Sequence, residues 1–185
     1  MSDSAMKTLA KWSVDDYHRM VQAGILSDRR VELLFGEIVE MSPETPIHYS
    51  TAKRGTKYLE ELLLGKADVR FNGPITLSNS EPEPDIAIAR LPESAYNNRH
   101  PAPEDIFWVV EVAKTSLKKD LELKASIYAA AEIPEYWVLD LSAKQIIVFR
   151  EPKNGKYAKE QILVQGTITP LAFLDIEVSV EKLLG

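Results

Sequence analysis

The sequence predicts a mixed α/β fold in which helices pack on a central sheet. Three observations carry that reading. The central part of the chain runs helix, strand, strand, strand, helix, strand. A helix between two successive strands implies a right-handed crossover, and so some parallel pairing. No glycine-rich phosphate loop follows any strand, which leaves Rossmann and P-loop folds without support. A length of 185 residues favours one domain spanning 1–185, long enough to bury a real core.

In chain order, Ser13 can cap a helix, with Asp16 placed for a capping box and Trp12 for a staple against Tyr17; Gly24 ends it. VELLFGEIVEM (31–41) reads as two short strands turning at Gly36. From His48 to Leu64, residues His48, Ala52, Gly55, Leu59 and Leu62 form a helical stripe that Gly65 closes. ADVRFNGPITL (67–77) is strand-like with a turn at Asn72-Gly73-Pro74, and EPEPD leads into the strand IAIAR. A loop over 92–103 precedes the strand Ile106–Ala113. Leu117–Ala131 is a helix begun by Thr115 or Ser116 and stopped before Pro134. EYWVLDL (135–141), KQIIVFR (144–150) and Tyr157–Val164 are strands, and Ser179 can cap a last helical turn.

Composition narrows the function. There is no cysteine, so thiolate metal sites, disulfides and cysteine nucleophiles are excluded. The N-terminus lacks the apolar centre of a signal peptide, and no run reaches the roughly 18 apolar residues of a membrane span. The expected location is cytoplasmic, without a membrane partner. A net charge of −6 weighs against passive nucleic-acid binding, although carboxylates that hold a divalent cation make a metal-free chain look more acidic than its working form.

The chemistry concentrates in EDIFWVVEVAKTS (104–116), where Glu111 interrupts an apolar strand. An unpaired buried carboxylate costs several kcal/mol, so Glu111 belongs at a wet strand end or beside a cation. Asp85 opens the preceding strand. If the two strands pair antiparallel, the acids lie side by side, each sharing a face with small alanines. Two close carboxylates repel, and a hard divalent cation is the usual remedy. Taken singly, Asp85 also fits a turn former and Glu111 a solvated strand end.

On the next helix, Leu117, Leu121, Lys124, Tyr128 and Ala131 fall in one stripe, with Lys118, Lys119, Glu122 and Ser126 opposite. Lys124 therefore stands in the apolar face, where it snorkels or meets a buried anion. His48 opens the stripe of its own helix. Glu32 and Glu37 flank the Gly36 turn, where surface charge is the simpler account, and Tyr128 reads as a core aromatic.

PDIAIA, FWVVEVAKTS and DLELKASIYAAAEIPEYWVLDL resemble the Uma2 family, of the PD-(D/E)XK restriction-endonuclease-like superfamily, as do VELLFGEIVEMSP and the histidine after it. The likeness runs from about Trp12 to Val164, and Lys124–Tyr128–Pro134–Glu135–Tyr136–Trp137 is its most specific block. It implies a restriction-endonuclease-like core over about 46–141, flanked by an N-terminal helix and hairpin.

The family's acidic pair falls on Asp85 and Glu111. The superfamily's lysine, two residues after the second acid, is here Ala113, and the resemblance transfers its role to Lys124 on the following helix. Glu-Val-Ala-Lys-Thr-Ser stands where the family commonly has Glu-Val-Leu-Ser-Pro-Ser, and Phe35-Gly36 where it has Asp-Gly. The implied activity is Mg²⁺- or Mn²⁺-dependent hydrolysis of DNA phosphodiesters leaving a 5′-phosphate. Asp85, Glu111 and the Val112 carbonyl would hold the metal, Lys124 would orient water or stabilise developing charge, and His48, Glu32 and Glu37 would support them. Duplex DNA, with its two strands, suggests a homodimer. The alternative is a catalytically inactive nuclease-like scaffold that binds or regulates. No serine elbow recommends another hydrolase.

Overall fold

The computed structural model describes residues 9–185. The first eight residues, part of the stretch read for a leader, lie outside that range. Helix α1 (Val14–Gln22) begins with both halves of the capping box: the Asp16 N–H donates to Ser13 Oγ, and the Ser13 N–H donates to the Asp16 carboxylate. The expected staple does not form. Trp12 is 48% exposed, while Tyr17 is buried among Val31, Leu33 and Leu26 and donates to the Val31 carbonyl. The Trp12 N–H is instead spent on Gly36 O.

Strands β1 (Val31–Leu34) and β2 (Glu37–Glu40) form a hairpin over Phe35-Gly36, both at positive φ, the primed turn that suits a two-residue loop. Gly36 is also required sterically, since a Cβ there would come within 2.9 Å of Lys11 and 3.0 Å of the Trp12 carbonyl. Every residue of β1 is buried.

Helix α2 (Pro46–Leu62) starts two residues earlier than expected, with Pro46 in its first turn and Thr45 capping the His48 N–H. Ala52, Gly55 and Leu59 are buried as the stripe requires, whereas His48 is only partly covered. Of the strand expected over 67–77, only β3 (Asp68–Phe71) is laddered. Beyond it, Ile75 and Leu77 bond to Pro82 and Ser80 across a loop, because Pro82 and Pro84 have no N–H with which to extend a ladder.

The main sheet has the order β3-β4-β5-β6-β7-β8, with β4 Ile86–Ala89, β5 Ile106–Ala113, β6 Glu135–Asp140, β7 Gln145–Lys153 and β8 Lys156–Leu163. β4 and β5 are antiparallel, as expected, and β5–β6 is the parallel pair that the crossover predicts. The crossover helix is one run of α3 (Leu117–Lys119), a π turn (Asp120–Lys124) and α4 (Ala125–Ala130). A short pair, β9 (Thr167–Ile168) and β10 (Val178–Ser179), leads to α5 (Val180–Leu184), capped by Ser179.

The sheet is covered on both sides. Ala87, Val109, Ala113 and Val138 face Ile127 and Tyr128 of α4, while Ile88, Trp108, Val110 and Leu139 face Ala52 and Leu59 of α2 and Leu183 of α5. Double burial explains why β5 is nearly continuously apolar and does not alternate. It also makes the acid near its end conspicuous. Among the described residues, no helix is long and apolar enough to cross a membrane.

Candidate metal centre

The β4–β5 ladder ends at the pair Ile86–Val110, which sets Asp85 beside Glu111 one step further on. Where the next rung would be, the Val112 N–H donates to Asp85 Oδ2 at 2.6 Å. His48 Nε2, at the start of α2, lies 3.1 Å from the same oxygen. Glu111 Oε1 accepts from Lys124 Nζ at 2.8 Å and from the Tyr128 hydroxyl at 2.7 Å. Lys124 Nζ is also 2.9 Å from Glu32 Oε1, and Lys119 Nζ donates to Glu32 Oε2 at 2.9 Å. The Glu83 N–H completes the set around Glu32. Asp120 accepts from the Ser116 hydroxyl at 2.6 Å. Glu32, Asp85, Glu111, Asp120 and Lys124 are all buried, yet they line a cavity of about 90 Å³.

The π turn explains how two lysines reach one carboxylate. Residues five apart diverge on an α-helix, but they stack where hydrogen bonds close i to i+5. Lys119 and Lys124 are five apart across that turn, and they grip the two oxygens of Glu32.

The charges do not balance. Burial, reinforced by the charges of Asp85, Asp120 and Glu32, outweighs Lys124 and pushes the Glu111 carboxyl up to about 8. Burial likewise raises Asp120 and Glu83. Burial would also raise Glu32, but Lys124 and Lys119 overcome it and hold that acid below its usual range. Lys124 resists its own burial because Glu111 and Glu32 keep its proton on. His48 is likewise raised against its burial, by its hydrogen bond to Asp85 and that residue's charge. More carboxylates than ammonium groups line this cavity, which is the condition that a bound cation relieves.

The donors suit a hard divalent ion. Among the described residues the hydrogen bonds on Asp85 and Glu111 fall on Oδ2 and Oε1, so Oδ1 and Oε2 have no protein donor. The N–H and C=O of a strand residue project to the same edge, so the Val112 carbonyl faces the side on which its N–H meets Asp85. Among the described residues no three histidine or acidic side chains are grouped to hold an ion. Two carboxylates, a main-chain carbonyl and waters remain, a set that fits Mg²⁺ or Mn²⁺ and would exclude a histidine-rich zinc site. The cavity has room for several waters, each needing roughly 10–15 Å³.

Asp85, Glu111, Val112, Lys124, His48 and Glu32 are thus brought together. Glu32 corrects the surface reading, because β1 is the inner strand of its hairpin. Glu37 is not brought in: it sits on the outer strand, 55% exposed, paired with Lys11. Tyr128 is in the core, but it also holds Glu111. Sequence reasoning missed Asp120 and Lys119. Asp120 lies only about 40° from Lys124 on a helical wheel, a usable signal. Lys119 left none, because a regular helix would turn it to solvent.

A twisted mixed sheet between helix layers, with two strand-borne acids and a helix-borne lysine at one end, is the architecture of a nuclease-like fold. The family description "Putative restriction endonuclease" matches residues 14–181, and the chain belongs to that family, Uma2. It is similar to the crystal structure of a putative nuclease belonging to DUF820 from Anabaena variabilis ATCC 29413, with a TM-score of 0.61 and 14% identity over 83% of this chain and 89% of that one. The comparison with curated proteins matches none.

Proposed function

We propose that the protein is a Mg²⁺-dependent endonuclease, or one that uses Mn²⁺, and that it hydrolyses DNA phosphodiester bonds. The observation that carries this reading is the convergence of Asp85, Glu111 and Lys124 on one cavity. Asp85, Glu111 and the Val112 carbonyl would hold the ion. When bound, it would supply positive charge at a phosphoryl oxygen and acidify a water.

The chain's own groups do the positioning. Tyr128 fixes Glu111 through Oε1, and His48 with the Val112 N–H fixes Asp85 through Oδ2, which leaves the opposite oxygens for the ion. Lys124 keeps its proton, so it is no general base. It orients the attacking water and donates to the charge that grows on the phosphoryl oxygens. Glu32 is a positioning residue that holds Lys124. Cutting both strands of a duplex would call for two chains related by a two-fold axis.

Asp85→Ala and Glu111→Ala are each expected to abolish Mg²⁺-dependent cleavage of plasmid DNA while leaving the circular dichroism spectrum intact. Unchanged cleavage in either variant removes the assignment. One observation favours a second reading, an inactive scaffold: Lys124 bridges both acids that flank it, as a structural ion pair would. Calorimetric titration with Mn²⁺ separates the two, since binding at low millimolar or tighter is required only of the enzyme.

A further inference from the structure

A second cavity, of about 620 Å³, shares no lining residue with the metal centre. It lies between α1 and the loop that joins β4 to β5. His18, Val21 and Gln22 line it at i, i+3 and i+4, so they stand on one face of α1. Several hundred Å³ with a few converging polar groups is the size and make-up of a small-molecule site.

Among the described residues, Glu81 is the one acid that lines this cavity, and it is 5% exposed. Its N–H donates to the Leu33 carbonyl, which ties the segment to β1. Its Oε2 is occupied twice, by His18 Nε2 at 2.6 Å and by the Thr76 hydroxyl, which donates at 2.8 Å. Glu32, Glu111 and Glu135 are also buried, but each faces a lysine or an arginine. Glu81 faces neither, and among the described residues its Oε1 has no donor. The buried side-chain atoms sealed without a partner are His48 Nδ1, Arg70 Nε and Trp108 Nε1, so Oε1 is not sealed and opens on the cavity. A carboxylate oxygen held away from bulk water and left unfilled favours a ligand that brings an N–H.

The remaining lining fits a particular bearer of that N–H. Gln22, Asn97 and Asn98 each offer a donor and an acceptor, the pairing that suits the edge of a nucleobase. Arg99 and His100 follow on the same loop. Arg99 donates to Asp105 and to the His100 carbonyl and keeps further N–H groups to spare. A guanidinium beside an imidazole attracts phosphate and repels a polyamine, the other common carrier of N–H donors. We infer that this cavity binds a nucleotide whose base carries an exocyclic amino group, with that group on Glu81 Oε1 and the phosphate at Arg99 and His100. Adenine, cytosine and guanine carry such a group, whereas uracil has oxygens in its place and would meet the carboxylate oxygen to oxygen. The inference is independent of the nuclease reading, since it uses no residue of the metal centre.

The test is calorimetric titration of the whole chain with AMP, CMP, GMP and UMP in EDTA. The tightest of the three amino nucleotides should bind about tenfold or more better than UMP, because a site built around an amino group rejects the analogue that lacks it. Asn97→Ala/Asn98→Ala, at two exposed positions, should weaken that nucleotide about threefold or more. In Glu81→Gln, His18 and Thr76 keep an acceptor at the Oε2 place, so the amide nitrogen takes the place of Oε1 and presents a donor. The preference should then pass to UMP. Asp85→Ala should bind the nucleotides like wild type, and loss of binding there would move them to the metal centre and overturn the inference. No binding of any nucleotide at millimolar concentration, UMP bound as tightly as the others, full affinity in the asparagine variant, or an unchanged order of preference in Glu81→Gln also overturns it. Should Glu81→Gln fail to fold, the comparison with UMP and the asparagine variant still decide.

Discussion

At the scale of single residues, Glu111 concentrates the cost of the site. The residue is 4% exposed among three other acids, and one shared ammonium does not offset the desolvation of its carboxyl. The folded protein therefore holds the Glu111 proton to about pH 8, whereas an unfolded chain releases it near its ordinary value of 4.5. Stability from that proton is full below about 4.5 and is lost as pH rises through about 8. The upward shifts of Asp120, Glu83 and His48 act in the same direction. In chelator, the melting temperature should fall between about pH 5 and about pH 8.5. Glu111→Gln, which keeps an acceptor for Lys124 and Tyr128 without the charge, should flatten that fall. A wild-type curve with no slope in this window, or a variant with the same slope, would show that Glu111 carries no such cost.

At the scale of elements, the π turn is the feature with chemical consequence. It permits Lys119 and Lys124 to share Glu32, a grip that a regular helix forbids. A double-mutant cycle of Lys119→Met and Glu32→Gln, read by urea unfolding, should give a coupling of about 1 kcal/mol or more. A coupling indistinguishable from zero would mean that the contact has no energetic weight. The sequence could not announce this turn, because every residue from Leu117 to Ala131 is compatible with an ordinary helix. The same regular helix turns Lys119 to solvent. What was legible rested on period and punctuation. The capping box, the Gly36 turn, the antiparallel β4–β5 pair and the β5–β6 crossover all follow from local signals. Lys124 was legible because a charge inside an apolar stripe is anomalous whatever its partner. Glu32 was not, since a four-residue strand next to a turn does not declare that all of it is buried.

At the scale of the whole molecule, the fold pins the acids through the sheet and the lysines through a separate helix, while the Glu32 hairpin closes the far side. Such an arrangement stores unbalanced negative charge in the folded state alone, so an ion that binds there stabilises folding by mass action. At a hundredfold excess over its Kd the gain is about 2.7 kcal/mol. The ion competes with the proton on Glu111, so its affinity should rise with pH until that group is ionised near pH 8. Mn²⁺ should therefore raise the melting temperature little at about pH 6 and strongly at about pH 8.5, cancelling the alkaline loss seen in chelator. Asp85→Ala and Glu111→Gln, each lacking one of the paired donors, should show almost no Mn²⁺ shift at either pH. A shift that ignores pH and survives in both variants would place the ion elsewhere on the protein and leave Lys124 as a purely structural bridge between Glu32 and Glu111.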